Sequence, residues 1–264
     1  MKLTDQIGRV LHISKTPKRI ISLVPSQTEL LYDLGLENSI VGITKFCVHP
    51  SKVKKIKKVV GGTKNINVEK IKALQPDIIL CNKEENTKDI VEACENICST
   101  HVSDIFTLED SKQIISEYGT LFNRKVEARL MIEQLNFELN NFLSYIEEKP
   151  ILKAAYFIWR NPWMVAANNT FINHLLELNK YENIYTNKER YPEIQLKSIQ
   201  SEDNLDLIFL SSEPYPFKEK HVIEMSSYLP YSKIVLVDGE MFSWYGSRLL
   251  KAFDYFKELR ERIG

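Results

Sequence analysis

Two stretches of this chain carry the same pattern, and this internal match constrains the fold more than any other feature. The first, NVEKIKALQPDIILCNK, begins at Asn67 and reads as a helix, a polar break, Asp77 and a buried strand. The second, IQLKSIQSEDNLDLIFLSS, repeats that order with Asp206 in the place of Asp77. The match occurs once, at a spacing far longer than a solenoid repeat, so the sequence predicts a duplicated α/β unit.

Short apolar runs alternate with helical patterns around both stretches. RIISLVP, residues 19–25, predicts a strand, and SQTELLYDLG predicts a helix with Ser26 as its N-cap and Gly35 at its end. SIVGIT, VVGGT and STHVSDI predict further strands in the first half, as do LKAAYFIW and KIVLVD in the second. RNPWMVAANN is predicted to be a loop. The alternation predicts a parallel sheet covered by helices in each half.

The segment between the halves has only helical patterns. It contains no Pro and one Gly between Thr107 and Glu148, and Gly119 and Asn123 predict a break within it. The helix after the break, about 25 residues or roughly 37 Å long, ends at Pro150. The predicted fold is α/β, with two Rossmann-like lobes of similar plan joined by one long helix and a ligand cleft between the lobes. The predicted segments are an N-terminal extension 1–18, a first lobe 19–106, the linking helices 107–149 and a second lobe 150–264.

Candidate binding residues follow from the predicted topology, because open α/β sheets bind ligands beyond the carboxyl ends of their strands. These ends carry aromatic and polar side chains, among them all three tryptophans of the chain. The connection GEMFSWYGSR, before the last helix, is predicted to form one wall of the cleft, with no regular element burying Trp244. The candidate ligand-binding residues are Ser26, Gln27, Phe46, His49, Lys64, Asn82, Trp159, Trp163, Tyr215, Phe242, Trp244, Tyr245 and Arg248.

Several of these residues have a structural alternative that the sequence leaves open. Trp159 ends a buried strand and could belong to the core, and Trp163 follows Pro162 and could brace its loop. Arg248 could pair with a carboxylate of the protein. His49 is the one histidine in these loops, where a histidine usually makes an ordinary hydrogen bond.

Composition excludes some function classes. Lys+Arg and Asp+Glu are both 35, and a net charge of zero argues against nucleic acid as the main partner. No apolar run is long enough to span a bilayer. The N-terminus has no apolar signal region, so we expect the chain as written to be cytoplasmic, or periplasmic if a signal has been removed. The cysteines, Cys47, Cys81, Cys94 and Cys98, are expected to be free thiols.

Enzyme and bare-metal sites are the competing classes. Glu84 and Glu85 could be paired carboxylates, but adjacent side chains of an extended loop point apart, which favours a solvated rim. Cys47 and His49 lie in one loop, whereas a Cys–His nucleophile pair usually comes from separate segments. A zinc or manganese site needs two or three histidines and a carboxylate, and these loops hold one histidine. The acids beside it leave a bare-metal site open as an alternative; they are Glu84, Glu85, Glu213 and Glu240. We therefore expect no catalytic residues, no metal site and no covalently bound cofactor.

RIISLVPSQTELLYDLGL, VGGTKNINVEKIKALQPDIIL and MFSWYGSRLL together resemble the class III periplasmic-binding-protein family. These helical-backbone receptors bind vitamin B12, haem or ferric siderophores for ABC importers, and the resemblance, from about Arg19 onward, is closest to the cobalamin-binding branch. It implies a monomer that binds cobalamin or a related corrinoid without chemistry, between lobes that move little. That branch often has a Trp near Thr63 or Lys64 and another near Asn82. In this chain those positions are polar or charged, which leaves a different corrinoid or a smaller, more polar chelate as alternatives. The family also leaves haem or a ferric siderophore open, and the absence of an export signal leaves a carrier without a permease.

The resemblance also implies docking to an ABC permease through one glutamate on each lobe. Glu69 in NVEKI matches the first of these, but the internal alignment puts Lys197 near the second. Glu193 or Glu202 could substitute, although neither is at the matching position. Lys197 and the arginines of such a permease are both positively charged and would repel each other. The sequence therefore predicts weak or absent docking to a permease of the B12-importer type.

Overall fold

Helices and parallel strands alternate in the computed structural model of the chain, which describes residues 1–199 and 205–264. The chain divides into two units. Unit 1 comprises Met1–Ile105, Glu109–Asn136 and Tyr245–Leu249, and unit 2 comprises Phe106–Leu108, Phe137–Trp244 and Leu250–Gly264. The segment boundaries predicted from the sequence stay predictions, because compactness alone does not establish which segments fold independently.

Unit 1 is built on a parallel sheet. Its strands, after a short antiparallel hairpin of β1 (Lys2–Thr4) and β2 (Val10–His12), are β3 (Ile20–Ser22), β4 (Ile40–Ile43), β5 (Lys58–Val59), β6 (Ile78–Asn82) and β7 (Ser99–Ser103). The sheet order is β5-β4-β3-β6-β7. The helices between the strands are α1 (Pro25–Asp33), α2 (Val53–Ile56), α3 (Val68–Ala73) and α4 (Lys88–Glu95). Two longer helices follow, α5 (Leu108–Leu121) and α6 (Lys125–Ile146), and the chain passes into unit 2 within α6.

Unit 2 repeats the plan. Its strands are β8 (Leu152–Trp159), β9 (Met164–Ala166), β10 (Tyr181–Asn183), β11 (Leu207–Ser211) and β12 (Lys233–Val237). The parallel order is β10-β8-β11-β12, and β9 pairs with β8 in the antiparallel direction. The helices are α7 (Phe171–Leu178), α8 (Glu219–Tyr228), α9 (Gly239–Ser243) and α10 (Leu249–Ile263). In each unit the first parallel strand lies inside the sheet, between β4 and β6 in unit 1 and between β10 and β11 in unit 2, so the predicted α/β class with two units of similar plan is confirmed.

The two aspartates of the internal match make the same kind of contact in their own units, a hydrogen bond from a backbone N–H group to the carboxylate. The Asp77 carboxylate, just before β6, accepts hydrogen bonds from the backbone N–H groups of Lys18 and Arg19 at 2.8 and 3.0 Å. The Asp206 carboxylate, just before β11, accepts one from Lys153 N–H at 2.8 Å. Each aspartate therefore ties the start of a central strand to the residues at the start of its neighbour, which explains why the pattern recurs in the sequence.

The central strands are buried along their whole length. Every residue of β6 and of β11 is buried, as expected for parallel strands covered on both faces. The core of unit 1 includes Ile21, Ile79 and Cys94, and that of unit 2 includes Phe157 and Leu210. The cysteines are free, as predicted: three are buried and Cys98 is half-buried. These apolar runs fix where the strands lie and therefore where their carboxyl ends are.

Three local predictions were wrong. Ser26 does not cap α1: Pro25 takes the first helical position, for which its fixed φ is suited, and Ser26 lies inside the helix. RNPWMVAANN is not all loop, because Asn161 adopts a positive φ of 63° and the chain returns along β8 as β9. GEMFSWYGSR contains α9, capped by the Asp238 side chain, and a 3₁₀ turn from Gly246. The predicted break before α6 is confirmed, with Asn123 at a φ of 55°.

Candidate ligand-binding site

A polar network at the carboxyl ends of β6 and β7 joins several predicted site residues within unit 1. Gln27 is its centre: its side-chain N–H group donates to the Tyr245 hydroxyl at 2.9 Å and to Ser103 Oγ at 2.8 Å. The Gln27 carbonyl oxygen accepts from the Tyr118 hydroxyl at 2.9 Å. Asn82 donates to Ser103 Oγ at 3.0 Å. Such a network, with buried and mutually satisfied groups, fixes the orientation of each side chain.

Tyr245 is neutral over the physiological range. Burial raises the pKa of its phenol to about 12, and the charge of Glu85 adds to that shift, while hydrogen bonds to Ser103, Gln27 and Ser26 oppose it. Ser26 therefore joins the same group. Ser26, Gln27, Asn82 and Tyr245, four predicted site residues, are brought together in unit 1.

Arg248 makes an ion pair inside the same unit. Its Nε donates to Glu29 Oε2 at 2.9 Å, and its Nη2 lies 2.9 Å from Glu29 Oε1. The side chains are only 5% and 6% exposed. A buried pair is strongly destabilised when one partner is removed, so this geometry favours the structural alternative for Arg248, although a ligand contact stays a prediction.

Phe46 and Lys64 lie on exposed loops of unit 1. Phe46 is 50% exposed, and one of its ring carbons lies 3.1 Å from where a Cβ on Gly62 would stand, so the missing side chain makes room for the ring. The Lys45 ammonium lies 5.0 Å from the ring centroid. The Lys64 ammonium donates to the Glu84 carbonyl at 2.5 Å. His49 is half-buried. Phe46 thus presents a flat apolar face beside cationic groups.

Trp159 and Tyr215 form an aromatic pair at the carboxyl end of β8 in unit 2. The ring centroids are 5.6 Å apart and the rings meet edge to face at 71°. Trp159 is 38% exposed, and Tyr215 is half-buried against Phe217 and His221. The Lys218 N–H group donates to His221 Nδ1 at 2.8 Å, so the ring that supports Tyr215 is itself held in place.

Trp163 is packed into unit 2. It stacks on Phe217 with centroids 6.1 Å apart and an angle of 7° between the rings. The Arg160 guanidinium lies 5.7 Å from the indole centroid and pairs through two nitrogens with the Glu224 carboxylate, at 2.8 and 2.9 Å. These contacts match the structural alternative for Trp163, that of bracing its loop, and its ligand contact stays a prediction.

Trp244 and Phe242 are buried, which corrects the expectation that no regular element covers Trp244. Trp244 is 6% exposed, and its indole N–H donates to Glu213 Oε1 at 2.8 Å. The Ser243 hydroxyl donates to the same oxygen at 2.7 Å. Phe242 is fully buried and packs against Phe256 with centroids 4.8 Å apart. The short helix α9 turns these side chains into unit 2, so the connection is packed and not an open loop.

Sequence reasoning gave no binding role to four residues that shape these places. Ser103 ends β7, so the strand-end rule that selected Asn82 could have found it, and the same rule placed Glu213, after β11, in the candidate cleft without a role. Tyr118 lies within α5, where nothing in the sequence marks it. Glu85 was expected on a solvated rim, but it is half-buried and burial raises the pKa of its carboxyl.

Two observations on the described residues concern a nucleophilic thiol and metal ligands. Burial raises the pKa of the Cys47 thiol, whose sulfur lies 3.2 Å from the Thr28 hydroxyl, so the reactive thiolate is disfavoured. Across residues 1–199 and 205–264, His, Cys, Asp and Glu form no group of three or more suited to a metal ion. Within the same residues, no helix combines the length and the apolar character needed to cross a membrane.

The predicted docking residues are on the surface of their own units. Glu69 is 83% exposed at the start of α3 and pairs with Lys72 at 3.1 Å. Lys197 and Glu193 are exposed in unit 2. Glu202 lies outside the described residues. Docking through these residues stays a prediction.

Comparisons with known proteins identify relatives of this chain. The chain is 32% identical over 149 residues to the ABC transporter substrate-binding lipoprotein YvrC of Bacillus subtilis, an alignment covering 56% of this chain and 46% of that relative. It is 24% identical over 240 residues to the vitamin B12-binding protein of Pectobacterium carotovorum, covering 89% and 86% of the two chains.

A solved structure resembles it throughout. The periplasmic haem-binding protein RhuT from Roseiflexus sp. RS-1, in apo form, matches with a TM-score of 0.80 at 14% identity, over 94% of this chain and 99% of that one. At such an identity the likeness establishes the fold alone. The model of the family described as periplasmic binding protein matches residues 20–226. The chain therefore belongs to the periplasmic binding protein family of transport substrate-binding proteins.

Proposed function

We propose that this chain is the substrate-binding component of an ABC-type importer and that its ligand is a corrinoid, cobalamin or a related compound. It binds the ligand without chemical change and without a covalently held cofactor. The observation that carries the proposal is an exposed aromatic at the strand ends of each unit, Phe46 in unit 1 and Trp159 in unit 2. What distinguishes these two from other exposed aromatics such as Tyr231 is their position at the carboxyl end of a parallel strand, where open α/β sheets bind their ligands.

The chemistry of a corrinoid suits these residues. Its macrocycle is broad and mostly flat, so it needs apolar faces, and its amide arms need hydrogen-bonding groups. Phe46 and the Trp159–Tyr215 pair offer the faces. Lys64 and the half-buried Glu85 offer polar groups in unit 1. The vitamin B12-binding relative, which aligns over most of both chains, supports the same ligand class.

Haem is the second candidate ligand, because the haem-binding protein RhuT shares the fold over nearly its whole length. Haem is also flat, but its arms are carboxylates, so a site built for it should present cations where a corrinoid site presents amide partners. A ferric siderophore, or carriage of a chelate without a permease, are the further alternatives. Each predicts a different preferred ligand or partner.

The proposal is tested by titration calorimetry of the purified protein with cobinamide, cobalamin, haem and a ferric hydroxamate. Trp159→Ala and Phe46→Ala should each weaken corrinoid binding about 5- to 150-fold, as expected for an aromatic that a ligand covers. Tyr231→Ala is the matched control, because Tyr231 is 99% exposed and lies outside the predicted site. Binding of haem or the hydroxamate with no heat from either corrinoid would reject the proposal.

A further inference from the structure

The Glu85 carboxyl in unit 1 has a position and a half-buried setting that a solvated surface acid would not have. Glu85 lies in the turn after β6. Its backbone N–H donates to Asn82 Oδ1 at 3.1 Å, and that of Glu84 donates to the same oxygen at 2.9 Å. The turn is therefore held from within by a buried asparagine.

The neighbouring loop is tied to this turn. The Asn86 amide donates to the Thr63 carbonyl at 2.9 Å, and the Lys64 ammonium donates to the Glu84 carbonyl at 2.5 Å. Two loops fixed to each other in this way hold the Glu85 carboxyl in one place. A group that is already ordered loses little entropy when a ligand binds to it.

The groups that face the carboxyl leave it able to accept further hydrogen bonds. Among the described residues, the ammonium of Lys64, the carboxylate of Glu84 and the hydroxyl of Thr63 are the groups that act on its pKa, beside burial. Tyr245 lies close enough for the Glu85 charge to act on its phenol. An ionised carboxylate has about four acceptor positions, so one hydroxyl does not use its capacity.

We infer that Glu85 is a specificity-determining residue of the proposed site, where its carboxylate accepts a hydrogen bond from a primary amide arm of the corrinoid and disfavours a carboxylate arm. The inference rests on the proposed function and names the class of corrinoid that the site takes. An amide N–H matches a carboxylate acceptor, whereas a ligand carboxylate brought beside Glu84 and Glu85 meets like charge. The positive charge of Lys64 offsets only part of that repulsion, because its ammonium already donates a hydrogen bond to the Glu84 carbonyl.

The test compares cobinamide, whose arms are amides, with a corrinoid whose arms have been hydrolysed to carboxylates. Calorimetry gives the affinity ratio of the two ligands for wild type, Glu85→Gln and Glu84→Gln. Wild type should prefer the amide ligand, and Glu85→Gln, which keeps the shape and removes the charge, should reduce that preference about tenfold. Glu84→Gln removes the same charge one residue away and should reduce it less than about threefold.

A second measurement needs no variant. Burial raises the pKa of the Glu85 carboxyl above its usual 4.5, so wild-type affinity for cobinamide should already fall on acidification before the pH reaches 4.5, as the acceptor becomes protonated. An unchanged ratio in Glu85→Gln, an equal effect of Glu84→Gln, or a flat pH profile would each overturn the inference while corrinoid binding itself remained. Absence of binding by both corrinoids would instead reject the proposed function, and the inference with it.

Discussion

The buried ion pair between Arg248 and Glu29 gives the most quantitative prediction. Replacing Arg248 with Met keeps the aliphatic bulk of the side chain but leaves the Glu29 carboxylate buried without the hydrogen bond from Nε and the ion-pair contact with Nη2. Breaking a buried pair from one side typically costs about 3–5 kcal/mol. With both side chains about 5% exposed, solvent cannot restore the lost contacts, so we expect a value within that range.

Urea unfolding followed by far-UV circular dichroism measures the effect. For an m-value near 2 kcal/mol/M, a loss of about 4 kcal/mol moves the midpoint by about 2 M. Lys72→Met is the control, because it breaks the exposed Glu69–Lys72 pair and should cost less than about 1 kcal/mol. The double variant Glu29→Met with Arg248→Met removes both charges and should recover most of the loss.

The double variant also separates the two roles considered for Arg248. If the guanidinium serves only the fold of unit 1, the double variant should bind the ligand within about threefold of wild type. A single Arg248→Met variant that unfolds like the Lys72→Met control would refute the reasoning from burial. A stable double variant that has lost its ligand would instead place Arg248 in the binding site.

Three further perturbations follow from particular contacts. Trp244→Ala should lower the free energy of unfolding by about 3–5 kcal/mol, as for a core aromatic; a loss below about 1 kcal/mol in thermal denaturation would contradict its burial. Burial alone would raise the pKa of Asp77, but hydrogen bonds from backbone N–H groups hold it below its usual 3.8. Asp77→Asn should therefore lower the free energy of unfolding by about 1–2 kcal/mol at pH 7, and by progressively less below pH 3.8, because wild type loses the same contribution when the carboxylate is protonated. A deficit that does not change with pH would contradict this. Wild type should bind a B12-importer permease weakly in detergent pull-downs and Lys197→Glu more tightly, whereas tight wild-type binding that Glu69→Ala abolishes would contradict the charge argument.

The strands could be predicted because local patterns encode them. The apolar run after Asp77 and its counterpart after Asp206 gave both central strands, and each aspartate ties down a neighbouring strand. Asn123 marked the break before α6 for a reason that is also local, its tolerance of a positive φ.

The candidate site was harder to predict because its contacts join residues far apart in the chain. Tyr245 meets Gln27 across 218 positions, and Trp244 meets Glu213 across 31. Nothing in the local sequence shows that such partners exist, so Trp244 was expected to lack cover. For the same reason Glu85 was placed on a solvated rim, since its burial depends on a loop that precedes it by about 20 residues.

The central claim is that the chain binds a corrinoid in preference to haem or a ferric chelate. One native mass spectrum can test it. The purified protein is mixed with equal amounts of cobinamide, haem and a ferric hydroxamate, each below the protein concentration, and the bound masses are read directly. We predict one cobinamide per chain as the dominant complex. A dominant haem or hydroxamate complex would contradict the account.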